Sequence, residues 1–85
     1  MPVISRFRGI AIVIYHRDHA PPHFHAFYGD YEMAVRILDG AVDGEFPRCA
    51  RGLVLEWLEQ YRGELLANWD RAQAGEALLP VQPLD

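Results

Sequence analysis

A chain of 85 residues, 51 % hydrophobic and 24 % charged, has room for one core and the composition of an ordinary globular domain. Its formal net charge of −4 excludes a protein that coats nucleic acid by bulk electrostatics. Cys49 is its single cysteine, which excludes an internal disulfide framework and fits a reducing compartment.

The charge is uneven. Residues 1–36 carry four Arg against three acids, whereas residues 37–85 carry four Arg against nine acids. The N-terminal half is therefore the half suited to an anion. All four histidines lie there too, within the ten residues 16–25. The longest N-terminal apolar run, residues 9–15, is too short for a signal sequence or a membrane span, so the expectation is a cytoplasmic protein without a membrane.

In chain order, residues 10–15 are β-branched and aromatic and read as a strand covered on both faces. A loop stiffened by Pro21-Pro22 follows, and either proline could be cis. Residues 23–28 and 31–38 read as two strands joined by a Gly29-Asp30 turn. Asp39-Gly40 signals another two-residue turn, opening a short strand over 41–46. Pro47 stands where the first helical residue tolerates proline. Ala50, Leu53, Val54, Trp57, Leu58 and Tyr61 then recur at helical spacing, with Arg48, Arg51, Glu56 and Glu59 turned outward. Cys49 reads as a small apolar filler among them. Gly63 is expected to break or bend the helix, and Leu65, Leu66, Trp69 and Ala72 continue it. Residues 78–84 are too apolar to hang in water, so this tail packs on its own domain or docks on a partner.

The fold expected is α+β: an antiparallel sheet of about four strands, one face covered by two C-terminal helices or one bent helix. One domain spans 1–85, with the sheet over about 4–46, the helical part over about 47–74 and an extended tail over 75–85.

Turn positions sort residues onto faces, because residues flanking a two-residue hairpin turn oppose each other and share a face. About Gly29-Asp30, Tyr28, Ala26 and Phe24 then face Tyr31, Met33 and Val35, which makes an apolar core side. The other side pairs Phe27 with Glu32, His25 with Ala34 and His23 with Arg36. The same rule about Asp39-Gly40 sets Asp43 opposite Arg36 and Glu45 opposite Ala34. The polar face is expected to carry the rows His23–Arg36–Asp43 and His25–Ala34–Glu45.

Three chemistries fit that face. His23 and His25 can act as general base and acid with Arg36 neutralising a phosphate, and Asp18, His19, Asp43 and Glu45 in support, a metal-free ribonuclease arrangement. Alternatively, His23 and His25, two apart on a strand, point the same way and hold zinc or another divalent transition metal. His19 is the third ligand in that reading, with Asp18 or His16 as substitutes, and Arg36 beside His23 opposes it unless Asp43 holds the guanidinium away. In the third, Asp18 and His19 brace the proline loop through backbone hydrogen bonds and the remaining residues are ordinary surface.

The run Arg17-Asp18-His19-Ala20-Pro21-Pro22-His23-Phe24-His25-Ala26 resembles the signature of a small bacterial family known as a domain of unknown function. The resemblance extends to Met1–Phe7, the Tyr28-Gly29-Asp30-Tyr31 turn, Leu53–Trp57, Glu64–Trp69 and Gly75-Glu76, nearly the whole chain. Members are often encoded beside a second small domain of unknown function, and such pairs are suspected toxin–antitoxin modules. The resemblance thus implies a small protein partner from a neighbouring gene and raises the weight of RNA as a substrate. It carries no established catalytic residues. The function expected is a component of such a two-protein module, touching its partner, or a second copy in a homodimer, through the tail or the doubly apolar strand.

Overall fold

A computed structural model describes residues 3–84. Five strands, β1 (Val3–Phe7), β2 (Ile10–Val13), β3 (His23–Tyr28), β4 (Tyr31–Arg36) and β5 (Val42–Glu45), form an antiparallel meander in chain order. One helix, α1 (Arg48–Gln73), follows. The α+β class holds. The sheet has one strand more than the four expected, and a single bent helix covers it.

The additional strand is β1, joined to β2 by Arg8 and Gly9, both at positive φ (53° and 79°). Positive φ at both central residues matches the right-handed strand twist. The sequence Arg8-Gly9 is a weaker advertisement of such a turn than Asn-Gly, which is why this hairpin escapes a reading of motifs. β2 lies between β1 and β3 and buries Ile10, Ile12 and Val13 within the chain.

The β3–β4 register matches the expected one pair for pair, from His23–Arg36 to Tyr28–Tyr31. The β4–β5 register differs. Ala34 faces Asp43 and Glu32 faces Glu45, so neither the Arg36–Asp43 nor the Ala34–Glu45 pair forms. The connection is a four-residue loop, not a two-residue turn: the Arg36 N–H donates to Ala41 O, and the Gly40 N–H donates to Arg36 O. Asp39 stabilises it by accepting from the Ala41 N–H at 3.0 Å and from the Arg36 guanidinium. The slip is of two residues, so no side chain changes face. Gly44 is required here: at φ 114°, a Cβ would lie 2.7 Å from Glu32 O across the strand pair.

The apolar face carries Ile4, Phe7, Ile10, Ile12, Phe24, Ala26, Met33 and Val35, and α1 covers it with Ala50, Val54, Trp57, Leu58, Leu65, Trp69 and Ala72. Trp57 lies at the centre, its ring against Phe7 and Phe24. The helix bends at Tyr61 (φ −123°, ψ 22°), two residues before Gly63. Next to the bend, Arg62 donates through Nε to Ile37 O at 2.8 Å and tethers the helix to the end of β4. Pro47 precedes the helix as its N-cap residue instead of opening it, and Cys49 is exposed, not a core filler.

Beyond the helix, the tail packs on its own domain. Val81 donates to Ile4 O beside the edge strand, and Val81 and Leu84 are buried. The Trp57 indole N–H donates to Gln82 O at 2.7 Å. The amide of buried Asn68 pairs with both backbone groups of Leu79, at 2.8 and 2.9 Å. Of the two outcomes expected for the tail, packing on its own domain is the one seen, although Leu79 stays exposed. Among the described residues no helix is long and apolar enough to cross a membrane.

Candidate metal centre

The loop between β2 and β3 would be free to wander if the end of α1 did not hold it. Helix ends leave carbonyls without intrahelical partners, and the loop uses them: the Arg17 N–H donates to Ala72 O at 3.1 Å. Gln73 Nε2 donates in return to Asp18 O at 2.8 Å, and His16 Nε2 donates to Glu76 O at 2.9 Å. These three bonds, with the cis Ala20–Pro21 peptide, fold the loop back over the start of β3. Asp18 is thereby brought beside His23 and His25, whose side chains already share a face two residues apart.

His23 is pinned at both nitrogens. Nδ1 lies 2.8 Å from Pro21 O and Nε2 lies 2.9 Å from Asp18 Oδ2. His23 is 9 % exposed, and its ring sits 5.2 Å from the Trp69 ring, on the last turns of α1. A peptide carbonyl can only accept, so it claims a proton on Nδ1 and directs Nε2 at the carboxylate. His25 stands in the same orientation problem. Its Nε2 is 3.6 Å from the same Asp18 oxygen, while its Nδ1 is buried without a hydrogen bond, 3.5 Å from Glu32 Oε2. Tyr15 covers the ring edge-on at 4.9 Å.

One ligand atom each from Asp18, His23 and His25 thus lies within 4.8 Å of the others. A tetrahedral ion with bonds of about 2.0–2.1 Å sets its ligands about 3.3 Å apart. The observed separations of 2.9 and 3.6 Å straddle that value. Burial raises the Asp18 carboxyl, but the His19 backbone N–H, with the charge and hydrogen bond of His23, outweighs it and holds the group below the usual carboxylate range. Asp18 is a carboxylate at neutral pH.

The other expected residues fall elsewhere. The His19 side chain is 87 % exposed, with Nδ1 3.0 Å from Asp18 Oδ1 and its ring 5.6 Å from that of His23, and it stands outside the group formed by Asp18, His23 and His25. Arg36 faces His23 across the strand pair, yet its guanidinium is held by Asp39 through Nε and Nη2. Asp43 lines the space in front of Ala34, and Glu45 lies opposite Glu32 at the far end. Glu32, 3.5 Å from His25 Nδ1, is a neighbour of the cluster that no motif marks. Its only signal was its pairing with Phe27, one row away from His25.

Two open clefts flank the cluster. One of about 400 Å³ is lined by His19, Pro21, His23, Arg36, Ala34 and Asp43, among others, and one of about 290 Å³ by His25, Glu32, Ala34, Asp43 and Gly44. They share Ala34 and Asp43 and so form one trough across the polar face.

Residues 9–70 match the family described as Domain of unknown function (DUF4160). The match covers the histidine run, four of the five strands and most of α1, and the chain belongs to that family. No curated protein and no solved structure matches it.

Proposed function

We propose that this DUF4160 domain binds a divalent transition metal through Asp18 Oδ2, His23 Nε2 and His25 Nε2, and that the trough beside them is where the metal acts. The observation that carries this reading is the gathering of three donor atoms within 4.8 Å of one another, with the His23 ring aimed there by Pro21 O on its far side. A metal-bound histidine commonly donates its other N–H to a carbonyl or carboxylate, which fixes its tautomer and orientation. Pro21 O stands in that position for His23, and Glu32 is the carboxylate nearest the corresponding nitrogen of His25.

Electrostatics supports it as well. Arg36 would oppose a dication, and its pairing with Asp39 lessens that opposition. Glu32 and Asp43 add negative charge beside His25. Two imidazoles and a carboxylate suit zinc, iron(II), cobalt or nickel over calcium or magnesium, which prefer oxygen-only sites. Three protein ligands leave a position open, as in catalytic sites; closed structural sites use four.

Elemental analysis of tag-free protein tests the reading. The expected result is about one metal ion per chain after exposure to zinc, lost in His23→Ala and in Asp18→Ala but kept in His19→Ala. Protein that takes up no zinc, or whose zinc depends on His19 and not Asp18, would overturn it. The competing arrangement, His23 and His25 as a metal-free acid–base pair with Arg36 on phosphate, predicts RNA cleavage in EDTA instead. In both readings His23 acts through Nε2, because Pro21 O holds Nδ1, so the two experiments separate them.

A further inference from the structure

The position a three-ligand metal leaves open needs an occupant, and the trough constrains its chemistry. We infer that the 400 Å³ cleft is a subsite for a small oxyanion-bearing molecule, a phosphate ester or a carboxylate, with one oxygen on the metal and its charge on Arg36. The inference rests on the metal reading above and names the ligand class of that same site.

Four features carry it. His23 and Arg36 both line the cleft and are direct cross-strand partners in β3 and β4. Cross-strand neighbours have Cβ atoms about 5 Å apart, so a group on the His23 side is within reach of a long arginine side chain. Asp39 engages Nε and Nη2 of Arg36, which leaves Nη1 as the guanidinium nitrogen without a hydrogen bond among the described residues. Asp39 itself is held by the Ala41 N–H, so the guanidinium is positioned before any ligand arrives. A preset arginine loses less side-chain freedom on binding than a free one.

The floor sets the size and character of the rest of the ligand. Pro21, Ala34, Ala41 and Val42 are small or apolar, and the volume lies at the low end for small-molecule sites. Asp43, at the junction of the two clefts, offers an acceptor for a hydroxyl or amino group beyond the oxyanion. A polymer is disfavoured by the net charge of −4, whereas one anionic group meets Arg36 and the metal locally.

The test uses cobalt(II)-substituted protein, whose visible spectrum reports ligands entering the metal's coordination sphere. Inorganic phosphate is titrated in one arm and acetate in another, and the arm that changes the spectrum identifies the oxyanion. Arg36→Gln is expected to keep one cobalt per chain and to weaken that anion's binding by about tenfold or more, the usual cost of a lost charge-assisted contact. Arg36→Lys is expected to recover part of it, and Asp39→Asn to weaken it less than Arg36→Gln does. If cobalt loads but neither anion alters the spectrum, or Arg36→Gln binds as tightly as the parent, the cleft is not an oxyanion subsite and the metal site stands. If no metal loads yet phosphate binds in an Arg36-dependent way by phosphorus NMR, the metal reading fails and the anion site survives without it.

Discussion

The domain holds two polar clusters, one at the start of β3 and one at the end of β4, and they are built differently. At the start of β3, Asp18 is 18 % exposed and His23 10 % exposed at the side chain, and each is held by backbone groups as well as by the other. At the end of β4, Arg36 and Asp39 are both 51 % exposed and meet as an ion pair three residues apart, braced only by the Ala41 N–H. Taking charge out of water is costly unless every donor and acceptor is answered. The first cluster therefore recruits Pro21 O, the His19 N–H and, through the loop, Gln73 at the end of α1. The second stays in solvent and needs little. A site for a cation belongs where the protein has already met the desolvation cost, and a contact for a diffusing anion belongs where solvent can still reach.

The largest expected break in this contrast is at His23. In chelator-treated protein, His23→Ala removes two hydrogen bonds and leaves Asp18 Oδ2 without its partner at 2.9 Å. Denaturant unfolding should show a loss of about 1–3 kcal/mol, the range for leaving a buried polar group unanswered. Gln73→Ala should cost less, about 0.5–1.5 kcal/mol for one hydrogen bond, and should also lower metal affinity by loosening the loop that presents Asp18. A Gln73→Ala protein with unchanged zinc affinity would show that β3 and the prolines alone hold the loop.

Arg36→Gln should leave the unfolding midpoint in place, because an exposed ion pair contributes little. The pair is visible instead in titration. The Arg36 hydrogen bond, with that of the Ala41 N–H, lowers the Asp39 carboxyl to about 2. Its folded value lies below the unfolded one, so the pair's small contribution is present above the ordinary aspartate range and disappears as pH falls toward about 2. Carbon NMR of the Asp39 carboxyl should place its midpoint there, and Arg36→Gln should raise it. An Asp39 midpoint that ignores the substitution would break the account of how Arg36 is positioned.

Much of this architecture follows from local rules. Gly29-Asp30, flanked by alternating residues, is enough to define the β3–β4 register, and with it the fact that His23, His25, Ala34 and Arg36 share a face. The helix is likewise visible in the recurrence of Val54, Trp57, Leu58 and Leu65, and the need to bury the tail in its run of apolar residues. Where the local signal was ambiguous, the outcome differed. Arg8-Gly9 does not announce a hairpin, and Asp39-Gly40 supports both a two-residue turn and a four-residue loop. In the second case the choice fell to Ile37, which is fully buried, and to Arg36, which takes Asp39 as partner.

Which loop residue joins His23 and His25 is beyond any local rule. Asp18 and His19 are adjacent, both polar and both in the same loop, so residue type and spacing serve either. The decision depends on Arg17 and Asp18 meeting Ala72 and Gln73, more than fifty residues away, where helix carbonyls need donors. Periodicity and turn chemistry act over a few residues and settle strands, faces and helix. The convergence of Asp18, His23 and His25 is a long-range event, decided only when the end of α1 closes on the proline loop.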